Sequence, residues 1–160
     1  LPCAVLVVMH MPSGFTGYFA ERVGRHCSLP VSEAADGDAL SPGRVWVAPG
    51  GKQTLLRRGT GLELEVREAD GADVYRPCID LTFASAAKLC GNRTLAVVAT
   101  GMGNDGSVGA RALRAAGGRI WAQDEASSVV FGMPAAVINA GLADDVVSAT
   151  ELRRRLRVGR

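Results

Sequence analysis

The sequence predicts an α/β fold: a doubly wound, mostly parallel sheet with helices on both faces and a short antiparallel strand excursion. Three observations predict it. Two short runs, residues 2–9 and 95–99, are almost wholly apolar, as in strands covered on both faces. Each is followed by turn residues and then by a helical pattern. Between them lie short strand-like pieces separated by Asp-Gly, Pro-Gly and Gly-Gly turns.

Taken in order, Pro2 to Met9 is the first strand, and it ends at His10. Pro12 stops it and disfavours helix at Met11. Phe15, Tyr18, Phe19 and Val23 recur at helical spacing, which predicts an amphipathic helix over Phe15 to His26. His26 then sits near a helix C-terminus, a structural place for a partial positive charge. Short strands follow at Val31 to Ala34 and Arg44 to Ala48, with a hairpin of Thr54 to Arg57 and Leu62 to Arg67 around Gly59-Thr60-Gly61. This middle part is expected as an antiparallel excursion at the edge of the sheet.

Asp70 to Pro77 reads as a polar loop. Ile79, Phe83, Ala86, Ala87 and Cys90 then share one helical face, with Asp80 at the positive end of the dipole. Leu95 to Ala99 is a strand, Ser107 to Ala116 a helix, and Arg119 to Gln123 the next strand. Asp124 to Ser128 is expected as a helical turn. Pro134 to Ala140 is a helix with proline in its first turn and Gly141 at its end. Asp145 to Val147 is a last short strand. Glu151 to Arg157 closes as a basic helix whose arginines, Arg153, Arg154, Arg155 and Arg157, form a solvated face.

The 160 residues suit a single domain, 1–160, with a core of its own. A net charge of +2 is too weak to point to nucleic acid. No apolar run approaches the ~20 residues that cross a bilayer, so no membrane insertion is expected. Cys3, Cys27, Cys78 and Cys90 form no C-x-x-C pair. They read as thiols in a reducing cytoplasm, with no metal and no cofactor expected. The chain opens directly in a strand, not at a methionine, so the domain is expected to be cut short at its N-terminus.

The loop Thr100-Gly101-Met102-Gly103-Asn104-Asp105-Gly106 joins a strand to a helix, where ligands gather in open α/β sheets. Three readings compete for it. Gly101, Gly103 and Gly106 fit G-x-G-x-x-G, and Asp124 stands about 20 residues on, where a ribose-binding acid would be. Against a dinucleotide, Asp105 would repel a pyrophosphate at the helix N-terminus. A catalytic carboxylate orienting a basic partner is the second reading. A plain N-cap aspartate is the third.

His10 and Asp105 both follow apolar strands. In a parallel sheet those strand ends share one edge, so the two residues can meet. A carboxylate beside an imidazole fixes its tautomer and stabilises the imidazolium, the orienting half of a nucleophile–base–acid triad. A structural histidine is the plain alternative. The nucleophile is missing: Ser13, Ser107, Ser127, Ser128 and Cys78 are each unconvincing, and a serine upstream of Leu1 would complete the geometry.

Several stretches together resemble the catalytic domain of CheB-type protein-glutamate methylesterases of bacterial chemotaxis. They are His10 to Thr16 with Phe19-Ala20-Glu21-Arg22, Glu33 to Gly37, Pro42-Gly43, Ala48 to Gly51, Thr100 to Gly106, and Gln123 to Pro134. The resemblance implies a Ser-His-Asp hydrolase acting on glutamate γ-methyl esters of chemoreceptors, and on receptor glutamine by the same acyl chemistry. His10 would match the general base and Asp105 the orienting acid. The backbone N–H of Met102 would help hold the oxyanion. Gly101 and Gly103 would let the backbone approach the ester. The resemblance also implies a nucleophilic serine and a phospho-accepting receiver domain upstream, and methylated chemoreceptor helices as partners.

The sequence departs from that pattern in two places. Tyr75-Arg76-Pro77-Cys78-Ile79-Asp80 stands for His-x-Pro-Ser-[Val/Ile]-Asp, and Gln53 stands for a histidine after the Gly-Gly pair. Two further readings remain: a non-catalytic partner-binding domain of the same fold, and a nicotinamide-cofactor domain.

Overall fold

The computed structural model describes residues 2–156. They divide into two compact units, residues 2–85 and residues 86–156. The parallel strands are shared between them as two three-stranded sheets, and a two-stranded antiparallel hairpin forms a sheet of its own.

In the first unit the strands are β1 (Val5–Val7), β2 (Val31–Glu33) and β3 (Val45–Val47), with helix α1 (Phe15–Gly24) between the first two. The sheet order is β1-β3-β2, all parallel, and Trp46 is level with Leu6 on one side and Ser32 on the other. The middle strand is therefore wholly buried, as a Val-Trp-Val run suits. The expected antiparallel character of this stretch is confined to the hairpin and a bridge between Ala39 and Glu63 beside it. The first strand is also shorter than the expected run.

Helix α1 corrects one expectation. Its buried side chains are Thr16 and Ala20, while Phe15 and Tyr18 are exposed. The reason is close approach. A Cβ at Gly17 would stand 3.5 Å from the Glu33 carboxylate, and one at Gly24 would stand 3.6 Å from Val31. Small residues seat the helix against β2, so the large rings turn the other way. The helix also ends at Gly24, with Arg25 as C-cap, leaving His26 just beyond it.

The hairpin pairs β4 (Lys52–Arg58) with β5 (Leu62–Glu68) in a continuous antiparallel register from Lys52–Glu68 to Arg58–Leu62. Helix α2 (Ile79–Leu89) covers the other side of β4. The Ser85 hydroxyl accepts from the Leu56 N–H (2.9 Å), and the Thr82 hydroxyl donates to the Thr54 carbonyl (2.6 Å). A strand edge covered this way keeps its backbone groups paired. Thr82 and Ser85 are buried with Ile79 and Ala86, so the packing face is rotated from the purely apolar one the sequence suggests.

The second unit holds β6 (Leu95–Val98), α3 (Ser107–Ala115), β7 (Arg119–Gln123), α4 (Met133–Asn139), β8 (Asp145–Val147) and α5 (Ala149–Leu156). Its sheet order is β6-β7-β8, again parallel. Helices α3 and α4 pack on the central strand β7, where Ile120 and Ala122 are fully buried. Residues 124–128 form a turn rather than a helix: Asp124 Oδ1 accepts from the Ser127 N–H (3.0 Å) and hydroxyl (2.5 Å).

Arg153, Arg154 and Arg155 of helix α5 are exposed, as expected, and two of them are paired. Arg155 donates to Asp145 (3.2 Å) and Glu151 (2.7 Å), and its guanidinium lies 5.2 Å from the Trp121 ring centroid. Arg154 is paired with Glu151. Arg157, the fourth arginine of the expected helix, lies outside the described residues.

Candidate active site

In the first unit His10 stands three residues after β1, at the carboxyl end of the strand. The Met11 N–H donates to the Met9 carbonyl (2.9 Å), making His10 the central residue of a γ-turn. No non-glycine residue has positive φ among those described, so this is the inverse form that commonly ends strands. The turn leaves His10 exposed.

Two further loops meet the histidine loop. A Cβ on buried Gly50 would stand 2.4 Å from the carbonyl oxygens of both Met11 and Pro12, so only glycine fits there. The Gly50 N–H donates to the Thr16 hydroxyl (2.9 Å), and that hydroxyl donates to Glu33 (2.5 Å). The third loop brings Tyr75, whose ring stacks on His10 with centroids 4.8 Å apart and 17° between the planes. Fully buried Gln53 secures this loop. Its Nε2 donates to the Tyr75 carbonyl and its Oε1 accepts from the Cys78 N–H, both at 2.8 Å. The Gly51 N–H adds a bond to the Arg76 carbonyl (3.1 Å).

The second unit carries the glycine loop between β6 and α3. Asp105 is 1% exposed, whereas Met102 is 81% exposed. Gly103 and Gly106 have φ of +87° and +94°, conformations that glycine alone adopts cheaply. Gly106, not Asp105, occupies the N-cap position of α3. Gln123 buttresses the loop: its Oε1 accepts from the Thr100 N–H (2.8 Å) and its Nε2 donates to the Ser127 carbonyl (2.7 Å). Gly101 is held on both sides, donating to Val130 (3.0 Å) and accepting from Gly132 (3.1 Å) and Met133 (2.9 Å). Asp124 spends its carboxylate on its own turn, in place of the ribose-binding part the dinucleotide reading gave it.

His10 thus belongs to the first unit, and Gly101, Met102, Gly103 and Asp105 to the second. Among the described residues no group of three or more His, Cys, Asp or Glu is placed to hold a metal, and no helix is long and apolar enough to cross a membrane. Sequence reasoning gave no role to the buttressing amides Gln53 and Gln123. Gln53 stood out only as a departure from a family pattern, and Gln123 only as the end of a strand and the first residue of a stretch that resembles the family. Buried amides beside loops that carry chemistry were the one available signal.

The family model described as CheB methylesterase matches residues 1–156. The protein-glutamate methylesterase/protein-glutamine glutaminase of group 1 operon from Pseudomonas putida is 48% identical over 156 residues, covering 97% of this chain and 41% of the relative. A protein-glutamate methylesterase/protein-glutamine glutaminase 1 of Pseudomonas aeruginosa is also 48% identical over 156 residues, covering 97% of this chain and 42% of the relative. The chain therefore spans about 40% of the length of such relatives. The crystal structure of the Thermotoga maritima CheB methylesterase catalytic domain matches with a TM-score of 0.93 at 39% identity, covering 98% of this chain and 83% of that one. Matched by the family model from residue 1 to residue 156, this chain belongs to the CheB methylesterase family.

Proposed function

We propose that residues 1–160 form a single catalytic domain, part of a longer cytoplasmic protein that hydrolyses glutamate γ-methyl esters on chemotaxis receptors. The same acyl chemistry would convert receptor glutamine to glutamate, as the names of the relatives suggest for those proteins. The observation that carries this reading is the family match over residues 1–156, joined to His10 and Asp105 each following a parallel strand at its carboxyl end. The share of the relatives' length that this chain spans supports further domains in the whole protein; an upstream receiver is the one the resemblance implies.

In the mechanism, a serine hydroxyl supplied by sequence preceding residue 1 attacks the ester carbonyl carbon. His10 takes the hydroxyl proton and passes it to the departing methoxide, releasing methanol. Asp105 orients the imidazole and stabilises its protonated form. The Met102 N–H donates to the tetrahedral oxyanion, a contribution of roughly 2.7–4 kcal/mol per such donor. Gly101 and Gly103 leave room for the ester beside the backbone. Water then attacks the acyl-enzyme with His10 as base, regenerating the serine.

The test is methanol release from methylated receptor by the full-length protein. His10→Ala should lower the rate by roughly 10³-fold or more, and Asp105→Asn by about 10⁴-fold, with the fold intact. Wild-type release by His10→Ala would overturn the reading. A full-length protein that binds receptor and releases no methanol would support a partner-binding domain instead.

A further inference from the structure

We propose that Tyr75 is a positioning residue for His10: its ring, stacked on the imidazole, holds the general base in one orientation before substrate arrives. The proposal rests on the reading of His10 as that base.

A general base serves only when its ring is held in the productive orientation, and a partner that fixes the ring plane contributes to that. Stacking at 4.8 Å and 17° confines the imidazole to a plane parallel to the phenol ring. The same π face favours the imidazolium that forms during the reaction.

A stacking partner is useful only if it is itself fixed, and Tyr75 is. Its carbonyl accepts from Gln53, and the Cys78 N–H donates to the other end of the same buried amide. The Arg76 carbonyl is held by Gly51, and Pro77 between them is fully buried. The Cys78 carbonyl accepts from Thr82 in α2 (3.3 Å from its N–H). The Arg76 side chain ties the loop back to the carbonyls of Asp73 (3.2 Å) and Asp70 (3.3 Å). The phenol therefore stands on a backbone anchored on both sides, and the ring face, not the hydroxyl, meets the histidine.

A stacked ring pair is worth enough to favour the held orientation roughly two- to tenfold, and losing it lowers the competent fraction by about that factor. The experiment uses full-length protein labelled with ¹³C-histidine, the His10 ring signal being assigned by its disappearance in His10→Asn. In the wild type that signal should be displaced upfield by the tyrosine ring current. Tyr75→Ala and Tyr75→Leu should lose the displacement and lower kcat for methanol release roughly two- to tenfold with KM unchanged. Tyr75→Phe should keep both. Leucine guards against a simple packing collapse.

A Tyr75→Phe variant as impaired as Tyr75→Ala would overturn the proposal. So would full kcat in a folded variant whose upfield displacement is gone, or a change in KM alone. The underlying reading fails by a separate route, when His10→Ala releases methanol normally while the ring-current signature of the wild type stands.

Discussion

The rings of His10 and Tyr75 lie face to face, 4.8 Å between centroids, although a helix, two strands and a hairpin separate them in sequence. The contact exists because Gln53, at the start of β4, grips the backbone on both sides of the Arg76–Pro77 peptide. Histidine, tyrosine and amide form one chain of support.

That chain makes Gln53 testable by itself. Gln53→Leu keeps the volume and removes both hydrogen bonds, leaving the Tyr75 carbonyl and the Cys78 N–H without their partner. A loss of about 1–3 kcal/mol is expected, since stranded polar groups cost more than a made bond gains. Urea unfolding of the full-length protein measures it. Stability equal to wild type would show that water replaces the amide freely.

Gly50→Ala attacks the same loop from the opposite side. The added methyl would press on two backbone carbonyls at 2.4 Å, and backbone cannot step aside as a side chain does. We expect about 1–3 kcal/mol of destabilisation. Amide shifts at Met11, Ser13 and Gly14 should move with it. Unchanged shifts there would mean that the loops separate without strain.

In the second unit Gln123→Leu should loosen the glycine loop by releasing the Thr100 N–H and the Ser127 carbonyl. The proposed oxyanion donor, Met102, follows Thr100 by two residues. Methanol release by the full-length protein should therefore drop roughly 10- to 100-fold, because catalysis is sensitive to displacements near 1 Å. A stability loss with undiminished kcat would separate the loop from the chemistry.

Acid should loosen α5 through Glu151. Hydrogen bonds from Arg154 and then Arg155 hold its carboxyl down at about 2, below the ordinary 4.5. A depressed carboxyl stabilises the folded form fully above its unfolded value and loses that contribution as pH falls toward the folded one. The window is thus about pH 4.5 down to 2. Amide protection factors in α5, compared at pH 5 and pH 3, should fall more in the wild type than in Glu151→Gln. Added salt should shrink the difference, since these charges face solvent. Identical pH dependence in the two proteins would exclude this pairing as the cause.

Much of the α/β pattern was legible because it is local. Unbroken apolar runs such as Leu95 to Val98 mark parallel strands, and Pro134 marks a helix start to within one residue. The turn chemistry around Gly59 to Gly61 located the hairpin for the same reason. Helix α1 shows where local pattern misleads. Its aromatic spacing is truly helical, but the face that packs is chosen by which residues are small enough to approach β2.

The amino-acid sequence by itself determined the order of elements, the strand-end placement of His10 and the glycine loop that carries Asp105. It did so because periodicity, proline and glycine act over a few residues. Only the tertiary structure decided what braces those residues: Tyr75 against the imidazole, Gln53 beneath Tyr75, Gly50 against the Met11 and Pro12 carbonyls, and Gln123 under Thr100. Each of these contacts joins distant segments through shape or a buried amide, and neither leaves a periodic trace along the chain.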